Sequence, residues 1–180
     1  MAGAWTNNWR AFRNIMLMGC VKNGFSTVIL QNGTTMADDT ANNVSATSPL
    51  GLYNNELGNA TGINAIRLGT GNTAPTAADY ALEANAAVSY LSVITGTPTF
   101  DTSTGTMTRT VTLSVQNQSA ENITIQEWGI FGTVRTLSYS SNNRGTALLY
   151  REVLDTPVLL SPTQAATLTL TMTMTLTDIL

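Results

Sequence analysis

Histidine is absent from this chain of 180 residues, and cysteine and lysine occur once each, as Cys20 and Lys22. Histidine is the commonest metal ligand and the usual general base near neutral pH. A lone cysteine cannot form a disulfide within its own chain, so the sequence does not predict a disulfide-stapled secreted scaffold. The enzyme classes that depend on histidine are therefore excluded, and we predict no catalytic residues, no cofactor and no metal site.

Charge is also scarce. Charged residues form 11% of the sequence and the formal net charge is −3, whereas charged residues form roughly 25% of typical soluble domains. Nucleic-acid binding needs clustered lysine and arginine, and no such cluster occurs. We therefore expect no direct contact with nucleic acid and no small-molecule substrate, and we expect solubility to depend on hydroxyl and amide groups.

Long apolar runs are missing as well. The longest run near the N-terminus, from Ile15 to Met18, is far shorter than the roughly 20 residues of a membrane-spanning helix. No basic segment precedes an apolar stretch and a small-residue cleavage site, as a signal peptide requires. We therefore predict neither a transmembrane segment nor a signal peptide.

Threonine is abundant and is arranged in two ladders. One ladder occupies every second position from Thr102 to Thr112, and the other every second position from Thr167 to Thr177. Leucine and methionine fill the gaps of the second ladder. Because side chains alternate across a strand, each ladder predicts a strand with one apolar and one threonine face. Such faces suit repetitive contacts, as in ice binding or fibres, but threonine is also a strong strand former that tolerates water, and we favour this second interpretation.

The first residues follow a helical pattern instead. Aromatic and apolar side chains recur at spacings of four, three and four, which places them on one helical face. The pattern predicts an amphipathic helix from about Asn7 to Met18 within an N-terminal arm, residues 1–24. This face suits docking on the protein's own sheet or on a neighbouring subunit better than on a membrane. Tryptophan is enriched at the centres of interfaces, so the candidate interface residues are Trp5, Trp9, Arg10, Phe12, Arg13 and Met16.

Residues 25–180 are predicted to form a single β-domain. A strand at Phe25–Gln31 ends at an Asn-Gly turn, and residues 34–62 form a long loop excursion. About seven short strands follow, without alternation of strands and helices. We therefore predict an all-β fold, an antiparallel β-sandwich or a jelly-roll-like barrel with an N-terminal helical arm and one short helix. That helix begins at a capping pattern, Thr76–Asp79, and runs to about Glu83, and Trp128–Gly129 predicts a β-bulge.

Two patterns imitate functional sites. Gly69, Gly71 and Ala74 follow the spacing of a dinucleotide-binding loop, but a proline intervenes and the predicted helix is too short, so a turn is the better interpretation. Glu127 and Glu152 lie in predicted strands and carboxylate pairs can perform acid–base chemistry. Nothing in the sequence shows that they converge, and a salt bridge to Arg109 or Arg151 is the favoured alternative.

Three segments resemble a known protein group. The run from Ile66 to Glu83 reads IRLGTGNTAPTAADYALE, residues 126–131 read QEWGIF, and residues 147–153 read ALLYREV before a closing alternating strand. Together they resemble small virion structural proteins of tailed bacteriophages, which carry an LGTGTTAP…D.AL turn and an E.G.F strand. The resemblance covers roughly the C-terminal two thirds of the chain, and its motifs are turn and strand chemistry without a catalytic signature.

The resemblance implies a non-enzymatic all-β module that assembles in many copies on a particle. We expect a capsid decoration or cement subunit, made in the host cytoplasm and located in the virion, with other virion proteins and copies of itself as partners. The alternative is a tail, collar or fibre component, or a receptor- or carbohydrate-binding module on a spike or fibre that uses Tyr53, Tyr139 and the asparagine-rich loops.

Overall fold

The computed structural model describes residues 3–10, 27–37, 43–46, 66–137 and 144–175. Residues 7–10 are helical, and the other regular elements of the described ranges are strands. In chain order the strands are β1 (Ala4–Trp5), β2 (Thr27–Ile29), β3 (Thr35–Ala37), β4 (Asn43–Ala46), β5 (Ile66–Gly69), β6 (Val88–Thr95), β7 (Thr99–Asp101), β8 (Thr106–Asn117), β9 (Ile123–Leu137), β10 (Arg144–Leu160) and β11 (Ala165–Thr175).

The strands form two main antiparallel sheets and a hairpin. In the first sheet β10 lies between β1 and β9, and the other edge of β9 pairs with β5 along residues 127–130 and with β4 along residues 134–137. In the second sheet β8 pairs with β11 on one edge and with β6 and β7 on the other. The hairpin joins β2 to β3. Every strand pair is antiparallel, which confirms the predicted all-β antiparallel fold.

The two sheets pack face to face as a sandwich. Alternate residues of each strand point to the opposite sheet, and a core cluster draws on both sheets. Its buried members are Ile66, Leu68, Val111, Leu113, Val115, Ile125, Trp128, Ile130, Tyr150, Leu160, Leu168, Leu170 and Met172. The apolar faces of both threonine ladders thus contribute to the core, as their alternation predicted.

The beginning of the chain is part of this sandwich. Ala4 and Trp5 pair with Arg151 and Tyr150 of β10, and residues 7–10 start the helix that the sequence predicts at Asn7. The rest of that predicted helix, residues 11–18, lies outside the described residues. The part of the arm that the structure describes is therefore an edge strand and a helical turn on the first sheet.

Several predicted boundaries need correction. The excursion at residues 34–62 contains β3 and β4, because the edges of β2 and β9 offer backbone partners to segments of low strand propensity. The first threonine ladder is a strand only from Thr106 onward, since residues 102–105 form the turn before β8. The strands are also longer than the predicted short strands, since β10 runs through residues 147–153 and 158–160 with an irregularity between Val153 and Val158.

The predicted bulge at Trp128–Gly129 is wrong in position. The register shifts on the partner strand, between Leu148 and Tyr150 of β10, while β5 pairs with residues 127–130 of β9 without interruption. Gly129 is needed for close packing, because a Cβ at this position would lie 2.7 Å from Leu148 Cδ1 and 2.9 Å from the carbonyl oxygen of Tyr150. Among the described residues, no helix is long and apolar enough to span a membrane.

Leu113 and Leu159 provide a matched test of the core. Leu113 of β8 is fully buried, whereas Leu159 of β10 is 59% exposed. Because truncation of a buried leucine removes apolar contacts and leaves a cavity, we expect Leu113→Ala to lower the free energy of unfolding by about 2–5 kcal/mol. Leu159→Ala should change it by no more than about 0.5 kcal/mol. Urea unfolding followed by circular dichroism measures both, and equal losses would contradict the assigned faces.

Candidate functional site

The residues of the turn motif converge on the carboxylate of Glu127, which is fully buried. The motif turn, residues 69–84, folds across the outer face of the first sheet. The backbone N–H groups of Gly71 and Ala84 donate to Glu127 Oε1 at 3.1 and 3.0 Å, and that of Glu83 donates to Oε2 at 3.3 Å. One side chain of β9 thus satisfies three backbone donors from the two ends of the turn.

Arg151 of β10 supplies the matching positive charge. Its side chain is 3% exposed; its Nε donates to Glu127 Oε2 at 2.6 Å, and its Nη1 donates to Asp79 Oδ2 at 2.9 Å. Its Nη2 lies 3.6 Å from Glu83 Oε2. Burial acts to lower the pKa of Arg151, but the hydrogen bonds to Asp79 and Glu127 outweigh it and raise that pKa. The guanidinium is therefore a permanent charge at the centre of three carboxylates.

The carboxylates of Asp79 and Glu83 contact Arg151 and also accept hydrogen bonds from other residues of the motif turn. Asp79 accepts hydrogen bonds from the backbone N–H and the hydroxyl of Thr76, at 3.1 and 2.8 Å. Partial burial acts to raise the pKa of Asp79, but the hydrogen bonds from Arg151 and Thr76 lower it below its ordinary value. Glu83 accepts from the N–H groups of Asn72 and Thr73 and from the Thr73 hydroxyl, and the bonds from Thr73 lower its pKa.

The prediction of a short helix at residues 76–83 is wrong, and these contacts explain why the segment forms a turn. Thr76 and Asp79 form the reciprocal half of the expected capping box, but only one turn follows. In a helix the N–H groups of residues 83 and 84 would donate to carbonyls four residues earlier. They donate to the Glu127 carboxylate on β9 instead, so they do not form helical hydrogen bonds.

The glycines of the imitated dinucleotide loop have a packing role. A Cβ at Gly69 would overlap the Glu127 carboxylate, and one at Gly71 would lie 2.7 Å from Glu127 Oε1. Both positions need a residue without a side chain so that the backbone reaches the carboxylate. The segment is thus a turn closed around a protein carboxylate, as the favoured interpretation predicts.

The E.G.F motif lies on one face of β9. Glu127, Gly129 and Phe131 are two residues apart, so they share the outer face of the first sheet. Glu127 binds the ends of the motif turn, Gly129 leaves room for Leu82, and Phe131 packs with Leu82 and Leu148 in a small buried cluster. The two motifs that carry the phage resemblance therefore form one interface inside the chain.

Glu127 and Glu152 do not converge. Glu127 is opposite Val153 and Glu152 is opposite Trp128, so the two carboxylates lie on opposite faces of the first sheet. Glu152 accepts a hydrogen bond of 2.6 Å from the Tyr150 hydroxyl, and burial raises the pKa of Glu152. The salt bridge to Arg151 is the interpretation that the structure confirms for Glu127. Arg109 donates to the carbonyl oxygen of Gly96.

The candidate interface residues of the arm are divided between buried and exposed positions. Trp9 is 4% exposed, and its ring lies 4.9 Å from that of Trp5, which in turn lies 4.9 Å from Tyr150. Asn8 exchanges two hydrogen bonds of 2.8 Å with Ile29. The tryptophans therefore dock on the protein's own sheet, as one alternative predicted. Arg10 is exposed, whereas Phe12, Arg13 and Met16 lie outside the described residues, and a subunit contact there stays a prediction.

The second sheet brings the two threonine ladders side by side. Each outward residue of β8 from Thr106 to Ser114 pairs with an outward threonine of β11, from Thr175 to Thr167. On the far side of β8, Ser92 and Ile94 of β6 continue two of these rows. We call this surface, the outer side of β6, β8 and β11, the threonine face. Its β8 and β11 members in those five rows are all hydroxyl residues, without a charge, and are exposed or half-exposed.

Comparisons with known proteins do not assign the chain to a family: no protein-family profile, no curated protein and no solved structure matches it.

Glu127→Gln tests the contribution of the buried pair. The substitution breaks a buried ion pair and replaces a carboxylate oxygen, which accepts from Arg151 and from the Glu83 N–H, by an amide NH2 that cannot accept. Arg151 keeps its bond to Asp79, and breaking a buried pair costs about 3–5 kcal/mol. We expect a loss of this size in the free energy of unfolding, measured by urea titration. The control is Glu121→Gln, the same change at an exposed position in the turn before β9, which should have little effect. Equal effects of the two substitutions would show that Glu127 does not stabilise the fold through this pair.

The lowered pKa of Asp79 predicts acid sensitivity. Between the native and the unfolded pKa values the unfolded chain binds more protons, so the free energy of unfolding rises with pH. The contribution is complete above the unfolded value, about pH 4, and is lost as the pH falls through the native value. Urea titrations across this range should therefore give a shallower acid loss for Asp79→Asn than for the unmodified chain. Superimposable pH profiles would refute the assignment.

Proposed function

We propose that this protein is a non-enzymatic structural subunit of a tailed-bacteriophage particle, a capsid decoration or cement protein that assembles in multiple copies. The observation that carries the proposal is the threonine face. Sheets with one solvated face usually place polar and charged residues there. This face instead presents five paired rows of hydroxyl side chains, without a charge, from Thr106 opposite Thr175 to Ser114 opposite Thr167.

The paired rows of β8 and β11 are uncharged and regular, which suits contact with a neighbouring protein. Asp101 of β7 continues the row of Thr106 and places one carboxylate at the end of the face. The rows from Thr108 to Ser114 can be covered without removing a charge from water, a step that costs several kcal/mol per ion. Hydroxyl groups also donate and accept, so they remain satisfied against another polar surface. Two exposed apolar residues of β6, Leu91 and Ile94, add apolar area beside the threonines, as expected for an interface with an apolar part.

The motifs that resemble phage virion proteins support the same proposal. In this chain they build a buried structural contact between the motif turn and β9, centred on Glu127 and Arg151. A motif whose residues stabilise the fold is expected of structural proteins, whereas enzymes that catalyse one reaction share catalytic residues. A tail, collar or fibre position remains the alternative, and Tyr53 and Tyr139, the aromatic residues proposed for receptor binding, lie outside the described residues.

The location is tested on intact particles. Gold-conjugated antibodies raised against the purified chain should decorate heads of the phage that encodes it, in regular arrays visible by electron microscopy. Labelling confined to the tail or fibres would support the alternative position. Particles that lack the protein altogether, by labelling and by mass spectrometry of purified virions, would refute a virion role.

Charges placed on the threonine face test its use in assembly. Thr110 and Thr171 form the central paired row, and two lysines directly opposite each other repel. The double variant Thr110→Lys/Thr171→Lys should therefore remain folded, with a melting temperature lowered by about 2–4 °C, but should lose incorporation into particles. The control is Ala120→Lys, which adds the same side chain at an exposed turn. Quantitative mass spectrometry of particles gives the copy number, and full incorporation of the double variant would show that this face is not a contact surface.

A further inference from the structure

A cavity of about 450 Å³ lies between the N-terminal segment and β11. Small-ligand sites have volumes of roughly 300–1,000 Å³ and combine apolar or aromatic walls with a few polar groups. This cavity has both, since three aromatic rings, Trp5, Trp9 and Tyr150, share its lining with Arg10 and Glu152. The threonines at the end of β11 complete the wall, so the cavity adjoins one edge of the threonine face.

The rings form a continuous surface. The centroids of Trp5 and Trp9 are 4.9 Å apart, and those of Trp5 and Tyr150 are also 4.9 Å apart. Rings at this distance are in direct contact. A cage for a quaternary ammonium needs separate rings with the cation between them, so this arrangement favours stacking on one ring. Trp9 and Tyr150 are each 4% exposed, whereas Trp5 is only half-buried and presents the accessible surface.

Trp5 is held in a fixed orientation. Its backbone pairs with Tyr150 of β10, and its indole N–H donates to the carbonyl oxygen of Thr173 at 3.3 Å. The ring thus bridges the edges of the two sheets. A fixed aromatic ring costs little conformational entropy when a ligand stacks on it.

The polar groups carry both signs of charge. The Glu152 carboxylate accepts a hydrogen bond from Tyr150, which fixes its position at the wall, and Arg10 adds a guanidinium. A cation would be repelled by Arg10 and an anion by Glu152. A neutral ligand with many hydroxyl groups fits both, because each hydroxyl donates to a carboxylate or accepts from a guanidinium.

We propose that this cavity binds a neutral carbohydrate, with the apolar face of one sugar ring stacked on Trp5 and the sugar hydroxyls hydrogen-bonded to Glu152 and Arg10. The chemistry of the lining carries this assignment: an oriented indole surface, one acceptor, one donor and the β11 hydroxyls in a single cavity. The site goes beyond an assembly role and holds whether the subunit is located on a head or on a tail.

The test uses the full chain and defined probes. Maltotriose, cellotriose and chitotriose are titrated while tryptophan fluorescence is followed, with choline as the cationic comparison. Binding of at least one trisaccharide should be saturable. It should weaken by about tenfold in Trp5→Ala and in Glu152→Gln, from the loss of stacking and of a charged acceptor. Trp5→Tyr, which keeps a ring, should retain most of the affinity.

Controls separate binding from folding. Tyr80→Ala removes an aromatic ring that is 43% exposed and does not line this cavity, so it should bind as the unmodified chain does. If Trp5→Ala fails to fold, Trp5→Tyr and Glu152→Gln still decide the result. The proposal is overturned if no trisaccharide binds saturably, if binding is unchanged in Glu152→Gln and in the folded Trp5 variants, or if choline binds more tightly than every trisaccharide.

Discussion

The buried carboxylate of Glu127 is the constraint on which the arrangement of this molecule depends. It lies on the outer face of a sheet, where a charged group is normally solvated, and it is covered because the motif turn closes over it. Its two oxygens accept three backbone N–H groups and the Nε of Arg151. A buried charge is tolerated only when it is paired and hydrogen-bonded to this extent. The turn and the carboxylate therefore require each other.

This constraint makes the two outer faces of the sandwich different. On the first sheet the motif turn covers the outer face over Glu127, Gly129 and Phe131, with Leu82 packed above. On the second sheet the outer face carries the paired threonine rows and no comparable cover among the described residues. The first sheet is thus covered by its own chain, and the outer face of the second sheet is the one that the proposed assembly contact would use. The aromatic cavity lies where the two sheets meet at β1 and β11.

Much of the fold is predictable from the sequence because alternation is a local property. The second ladder predicted buried Leu168 and exposed Thr169 from period alone, and burial follows that pattern along β11. The register that places the ladders side by side is a tertiary property, and no local pattern predicts it. The capping pattern at Thr76 was misleading for the same reason, since a distant carboxylate takes the N–H groups that a helix needs. The spacing of Glu127, Gly129 and Phe131 did contain a usable signal, because alternate positions share a face.

The cavity and the ion network were less accessible to sequence reasoning. Trp5 and Glu152 are separated by most of the chain, and they share a cavity only because β1 pairs with β10. Arg151 was recognised as a salt-bridge candidate for Glu127, but its contact with Asp79 depends on how the turn folds back. Polar residues that meet through a turn leave no periodic signal, and their meeting is visible only in three dimensions.

Native-state amide hydrogen exchange is the sharpest test of the contact between Glu127 and the motif turn, because it reports on the individual N–H groups that Glu127 binds. If the carboxylate holds the motif turn to the sheet, the amide protons of Gly71, Glu83 and Ala84 exchange as slowly as those of the β9 core, through openings close to global unfolding. Fast exchange at these three amides, as fast as at the exposed turn residue Ala120, would show that the turn opens independently of the sheet and that Glu127 does not hold it.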